Sequence, residues 1–251
     1  MARLSVAVVS YNSENEILNV IKSVTENTKQ IEYTLTLIDN ASTDKTVEVV
    51  KSAYPEVNII NAGENRGFGA GHNKMLGTDS VYHAIVNPDI TFEGDVLAGL
   101  CRYLDRNADV ALVTPQILNP DGTVQHLPKR RPTKRYMILG RLSRYIKAFR
   151  GVRDEYTRAN ENITEPTEIE FCSGCFMLMR TELFNKIGGF DEKYFMYMED
   201  SDLSDRIRQY GKIIYNPEFS VTHNWDGGSS KSLKLLKYHF RSMRMYFRDR
   251  K

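Results

Sequence analysis

Apolar positions in the first half of the chain alternate between two rhythms. Leu4 to Ser10 is an apolar, β-branched run that predicts a buried parallel strand. Across residues 14–26, Ile17, Leu18, Ile21 and Val24 recur at helical spacing. Thr34 to Ile38 predicts a second strand. It runs into Asp39-Asn40-Ala41-Ser42-Thr43-Asp44, where Ser42 or Thr43 is placed to cap a helix over Lys45 to Tyr54. Val57 to Asn61, Tyr82 to Val86 and Ala111 to Gln116 read as further strands, with helices over Ala70 to Gly77 and Phe92 to Arg106. Such alternation predicts an α/β fold whose open, mostly parallel central sheet is flanked by helices.

The second half is less regular. Pro128 to Pro132 is a basic, proline-bounded loop. Tyr136 to Phe149 has the pattern of an amphipathic helix, with Ile138, Leu139, Leu142, Tyr145, Ile146 and Phe149 on one face. Arg153 to Glu168 is polar and reads as a loop. Phe171 to Arg180 is strand-like with an interruption at Ser173-Gly174. Thr181 to Ile187 and Ser201 to Tyr210 are helical, and Lys212 to Asn216 is a strand. From Leu233 onward, Leu233, Leu236, Phe240, Met243 and Phe247 repeat at three- and four-residue steps, beside Lys234, Lys237, Arg241, Arg244 and Arg248. One helix thus carries an apolar stripe flanked by a cationic one. That is a membrane-surface pattern, or a helix packed on the domain with its basic face toward phosphates. No repeat or linker divides the chain.

With 41% hydrophobic and 26% charged residues, the 251-residue chain can bury a core and is not globally disordered. Its three cysteines, Cys101, Cys172 and Cys175, exclude a disulfide framework and point to a reducing compartment. The run Val6 to Val9 is too short to span a membrane, so the chain is expected in the cytosol. The net charge of +2 conceals a segregation: Gly122 to Arg153 holds ten Lys or Arg and no acid, and Ser229 to Lys251 holds eight against the single acid Asp249. Two basic blocks on an acidic body meet something anionic, such as nucleic acid, phospholipid or a phosphorylated substrate, or are solvated helix faces.

Ligands of open α/β sheets bind beyond the carboxyl ends of the strands. Three polar clusters are predicted there: Ser10-Tyr11-Asn12, Asp39-Asn40 and Asn87-Pro88-Asp89. Turn residues collect at any strand end, so the signal lies in the coincidence of three. Asn65-Arg66-Gly67-Phe68-Gly69-Ala70-Gly71 lacks the dinucleotide spacing and the Lys of a P-loop, so it is a phosphate approach or simply a tight turn. Asp89 after Pro88 is turn chemistry or a ligand for a divalent cation. Glu199-Asp200-Ser201-Asp202, with Asp205 one turn on, follows the aromatic run Tyr194 to Met198; it is a helix cap or a general base beside a sugar platform. His223 sits beyond a strand, next to the chain's single Trp, Trp225, as a metal ligand, a phosphate donor or a polar packing residue. Cys172-Ser173-Gly174-Cys175 has no second pair and reads as wall packing.

Taken in order, these clusters resemble the family 2 glycosyltransferases of the GT-A fold. The match runs from Val6–Asn12 through Asp39–Asp44, Asn65–Gly69, Asn87–Asp89, Gly174–Arg180 and Gly188–Glu192 to Phe195–Leu203. Within the family it looks most like bacterial rhamnosyltransferases that build O-antigen and related cell-surface polysaccharides. The resemblance implies a Rossmann-like sheet in a single domain over residues 1–251: a nucleotide-binding half (1–116), an acceptor and catalytic half (117–228) and a basic C-terminal helix (229–251). It implies that Ser10, Tyr11, Asn12, Asp39 and Asn40 hold the nucleotide, with Arg66, Gly67, Asn87 and Asp89 toward the base and diphosphate. Asp200 of the Glu199-Asp200 pair would be the general base. Asp89 and His223 would hold Mg²⁺ or Mn²⁺. The usual Asp-x-Asp is Asn87-Pro88-Asp89 here, one carboxylate short, which leaves basic side chains as another means of neutralising the diphosphate. The implied reaction is an inverting transfer of L-rhamnose from dTDP-rhamnose to a lipid-linked or growing polysaccharide, on the cytoplasmic side and peripheral to the inner face of the membrane. The same fold with a UDP-hexose donor is the alternative. A nucleic-acid-binding module or a non-catalytic scaffold is a further one, which the acidic body disfavours.

Overall fold

The computed structural model describes residues 2–143, 145–224 and 233–250. The chain begins β1 (Leu4–Ser10), α1 (Ile17–Asn27), β2 (Tyr33–Asp39), α2 (Thr46–Ala53), β3 (Asn58–Asn61), α3 (Phe68–His72) and β4 (Tyr82–Val86). β1 and β4 are buried at every position, which is why they read as continuous rather than alternating apolar runs. Leu4, Val6 and Val8 pack with Ile17, Val20 and Ile21 of α1. Ala7 and Val9 point to the opposite face, against Ile38 and Met75. β1 pairs in parallel with β2 and with β4, setting Ser10 opposite Asp39 and Val8 opposite Val86. The chain winds outward from β1 to β3, then crosses back to the other edge of β1. That reversal opens a crevice beyond the strand ends.

The second half continues β5 (Ile90–Thr91), α4 (Val96–Arg106), β6 (Val110–Leu118), α5 (Lys134–Leu142), α6 (Arg150–Thr157), β7 (Thr167–Glu168), β8 (Phe176–Arg180), α7 (Thr181–Lys186), α8 (Glu199–Ile207), β9 (Lys212–His223) and α9 (Leu233–Arg248). The sheet order is β3-β2-β1-β4-β8-β6-β9-β5, with β7 on β9. Parallel pairing holds throughout the first four strands. β8 then enters antiparallel between β4 and β6, Phe176 opposite Val86 and Leu178 opposite Val113. Because β8 runs backwards, its start lies beside the end of β4. Ser173 to Cys175 therefore arrive next to Asn87 to Asp89, and the Asn87 N–H donates to the Cys175 carbonyl at 2.9 Å. β9 runs the full width of the sheet and sets His223 opposite Ile90.

Two segments differ from the reading of the sequence, and a third, α9, takes the second of its two readings, a helix packed on the domain. The helix expected to Phe149 ends at Leu142, and α6 forms across residues expected to start a loop. The cause is pairing between the two helices: Tyr136 stacks on Tyr156 at 5.1 Å and its hydroxyl donates to Glu155 at 2.6 Å. The apolar stripe of α9 faces the domain, not solvent. Met243 and Phe247 pack on Tyr194, Met198 and Tyr246, and Phe240 alone among the stripe's described side chains is exposed, at 51%. The Leu233 side chain and Trp225 lie outside the described residues. No helix among the described residues is long and apolar enough to cross a membrane.

Candidate active site

The ends of β1 and β2 form one wall. The Asn40 N–H donates to the Ser10 carbonyl at 2.9 Å, locking the two strand ends together. Beyond them the chain turns through left-handed residues, Asn12 at φ 54 and Ala41 at φ 61. These turns brace each other: the Asn12 N–H donates to Ser42 Oγ at 2.9 Å, and the Thr43 N–H donates to Asn12 Oδ1 at 2.8 Å. Asp39 is buried, and both its carboxylate oxygens accept from the single Ser42 N–H, at 3.2 and 3.3 Å. Tyr11 stands exposed at the rim.

The glycine-rich loop joins this wall to the second half. The Asn40 amide donates to the Gly67 carbonyl at 3.1 Å, and the Phe68 N–H donates to the Phe195 carbonyl at 3.2 Å. Gly67 has φ 102, and a Cβ there would stand 2.1 Å from the Phe195 oxygen, so only glycine closes the seam. Arg66 pairs with Glu192 at 3.1 Å and Glu64 at 3.7 Å while staying largely exposed.

A second constellation lies at the end of β4. His223 Nε2 stands 3.3 Å from Asp89 Oδ1, inside ion-pair range, yet both buried atoms lack a hydrogen-bond partner. Behind them Gln125 grips the histidine. Its Nε2 donates to the His223 carbonyl at 3.0 Å, and its Oε1 lies 3.2 Å from His223 Nδ1. With Gln125 Oε1 accepting from Nδ1–H, the Nε2 lone pair is free. Two unsatisfied donor atoms side by side fit a divalent cation that takes its remaining ligands from a diphosphate and water. The described residues hold no cluster of three or more acidic, His or Cys ligands.

The third constellation begins α8. The approach passes through Tyr197 and Met198, both at φ 67. Four of the five non-glycine left-handed residues among those described thus border this crevice, and strain of that kind collects at functional sites. Burial raises Glu199 well above the usual carboxylate range, and Asp200 beside it raises it further. Burial also raises Asp200, but the Lys129 ammonium and the backbone N–H groups of Ser201 and Gly174 oppose that. Both carboxyls are thus raised, Glu199 with no cation opposing its burial and Asp200 against the pull of Lys129. Asp200 keeps surface open to the cleft although the protein around it is dense enough to desolvate its carboxylate. Lys129 stands over the rings of Phe171 at 5.5 Å and Tyr156 at 6.0 Å. Burial pushes the Cys175 thiol, between Asp89 and Asp200, up to about 12, so it stays protonated.

Asp202 and Asp205 leave this group. Asp202 accepts from Arg206 and Arg250 at 2.8 Å each, and Asp205 pairs with Arg250 at 2.6 Å and Arg131 at 2.9 Å. The reading of four clustered carboxylates as one site is corrected to two.

A model described as glycosyl transferase family 2 matches residues 5–188. The chain belongs to that family. A second model, for the N-terminal domain of galactosyltransferase, matches residues 155–224, which hold β8, α8 and His223. The chain is 28% identical to an N-acetylglucosaminyl-diphospho-decaprenol L-rhamnosyltransferase of Mycobacterium tuberculosis, covering 98% of this chain and 84% of that one. It is 26% identical to the rhamnosyltransferase WbbL of Escherichia coli K12, covering 96% and 91%. Among solved structures, GalNAc-T7 with UDP, GalNAc and Mn²⁺ superposes with a TM-score of 0.64 at 16% identity, over 90% of this chain and 43% of that one. S. aureus TarS 1–349 gives 0.60 at 16%, over 88% and 60%. The chain thus spans less than two thirds of either structure, and these likenesses establish the GT-A-like fold alone.

In this family 2 glycosyltransferase the three constellations meet through short contacts. Asn40 reaches Gly67, Gly67 reaches Phe195 ahead of α8, and the stretch from Gly174 to Cys175 lies between Asp200 and Asn87. Reading the residues alone missed Lys129 and Gln125. Lys129 carried a faint signal, a basic residue between Pro128 and Pro132; Gln125 carried none.

Proposed function

We propose that this glycosyltransferase moves L-rhamnose from dTDP-rhamnose to a hydroxyl of a lipid-linked saccharide, inverting the anomeric carbon. The observation that carries the reading is Asp200, part-exposed at the start of α8, next to the buried Glu199 and under the influence of the Lys129 ammonium. The names of the two rhamnosyltransferase relatives support the donor sugar, and that of the mycobacterial one supports a lipid diphosphate acceptor.

In this reaction Asp200 takes the proton of the acceptor hydroxyl. The hydroxyl oxygen forms its bond to the anomeric carbon as the bond from that carbon to the diphosphate oxygen breaks. The nucleoside diphosphate leaves with the electron pair, and one in-line displacement inverts the centre. Ser10, Tyr11, Asn12, Asp39 and Asn40 would hold the nucleoside, with Arg66, Gly67 and Asn87 bordering the diphosphate. A Mg²⁺ or Mn²⁺ ion on Asp89 and His223 would offset the charge of the leaving diphosphate. Residues 1–116 would then serve the donor and 117–228 the acceptor, with 229–251 bracing α8, at the cytoplasmic face of a membrane.

The test is transfer of labelled sugar from dTDP-rhamnose or UDP-hexoses to a polyprenyl-diphosphate N-acetylglucosamine acceptor. Transfer from dTDP-rhamnose with inverted configuration is expected; transfer only from a UDP-hexose would overturn the donor, and none from any donor the activity. Gln125→Leu should raise the Mn²⁺ concentration needed for half-maximal thermal shift by about 10- to 100-fold.

A further inference from the structure

A face that the transfer reaction does not use lies along α5 and its exit. Ile138, Leu142, Tyr145 and Ile146 are 54%, 38%, 84% and 45% exposed. They occupy positions i, i+4, i+7 and i+8, one helical stripe. The N–H groups of Tyr145 and Ile146 both donate to the Leu142 carbonyl at 2.9 Å, so the turn and its stripe continue beyond the end of α5. The buried side chain of α5 is Tyr136, on the other side. Phe240 of α9 belongs to the same face, because the Arg141 guanidinium lies over its ring at 5.4 Å. Half of the chain's exposed large apolar side chains, among the described residues, are therefore gathered here.

Lys134 and Lys147 flank the stripe, and Lys237, Arg241 and Arg244 are exposed on α9. No acid occurs between Gly122 and Arg153. We propose that this face seats on the anionic surface of a phospholipid membrane, its aliphatic and aromatic side chains entering the headgroup boundary and its Lys and Arg meeting lipid phosphates. Each part of the pattern argues for that partner. A second copy of the chain would bring one basic rim against another. A nucleic acid duplex would satisfy the cations but leave Ile138, Leu142 and Ile146 without an apolar partner. An interface of lipid phosphates over acyl chains accepts both.

The face adjoins the cleft on the side of Asp200. His239 of α9 is half-buried with Arg141 and Lys129 as its cationic neighbours, and Lys129 in turn acts on Asp200. Seating here would hold the base close to a membrane surface. Of the apolar stripe of α9 it takes in Phe240, while Met243 and Phe247 pack inward.

The test is flotation of the full chain with phosphatidylcholine vesicles, with and without phosphatidylglycerol. Binding only to the anionic vesicles, weakening as salt rises, is expected. Tyr145→Glu/Ile146→Glu and Arg241→Glu/Arg244→Glu should each lower it at least tenfold with an unchanged thermal melt, and Tyr210→Glu, exposed but outside this face, should not. Equal binding to both vesicle types, or undiminished binding by both double variants, would overturn the proposal. So would tight binding of duplex DNA without vesicle binding, or a dimer in sedimentation that Tyr145→Glu/Ile146→Glu dissolves without any vesicle binding. Flotation needs no turnover, so failure of the proposed sugar or acceptor leaves its result standing.

Discussion

The two ends of α8 carry the same residue type and do opposite work. Glu199 is buried and Asp200 is part-exposed. Burial raises both, and the nearest cation, Lys129, acts on Asp200 without replacing its exposure to the cleft. Asp202 and Asp205, within two turns, face α9, where Arg250 bridges them and Tyr246 donates to Asp205 at 2.7 Å. One pair is kept poor in partners so that a proton can move. The other is rich in partners and ties the C-terminal helix to the helix bearing the base. Helical rotation separates Asp200 from Asp202 and Asp205, because two and five residues on the helix has turned to its far side from Asp200.

The contrast can be broken most sharply at Asp200. Asp200→Asn should lower kcat roughly a thousandfold, while the melting temperature stays the same or rises because a desolvated charge has been removed. A variant with normal turnover would remove the base from this helix. Asp205→Ala should do the reverse. It leaves Arg131 without a carboxylate and Arg250 with Asp202 alone, and should lower unfolding free energy by about 2 kcal/mol in urea titrations, with kcat retained in the folded fraction.

Lys129→Met tests what holds the charge on Asp200. The ammonium lowers the Asp200 pKa against the effect of burial, so its loss should raise it. A base works deprotonated, so the acid limb of the kcat/KM profile should move to higher pH, with a loss of about three- to tenfold on that limb. An unmoved limb would separate Lys129 from the base. Glu199→Gln should have the smallest effect, within about threefold in kcat, because a carboxyl whose charged form burial disfavours is replaced by a neutral group of like shape. A larger loss would mean that Glu199 carries charge in the working enzyme.

The strand-end clusters were legible because β1, β2 and β4 are continuous apolar runs cut short by polar residues. The order of motifs was enough to name the family. The partners inside the site were not legible. Lys129 stands among the rings of Phe171 and Tyr156, which lie far along the chain, and Gln125 holds His223 across the sheet. Nor did periodicity show which apolar face is covered: the stripes of α5 and α9 look alike in sequence, yet one is exposed and the other packed.

The sequence by itself determined where most strands begin and stop, which polar residues end them, and that a helix follows the Glu199-Asp200 pair, since these follow from local periodicity and turn chemistry. Only the tertiary structure decided that β8 runs backwards beside β4, that two of four acids are paired with Arg131, Arg206 and Arg250, and that the stripe of α5 remains uncovered. Strand register and the covering of a face depend on contacts between residues far apart in the chain, which a short window of sequence does not contain.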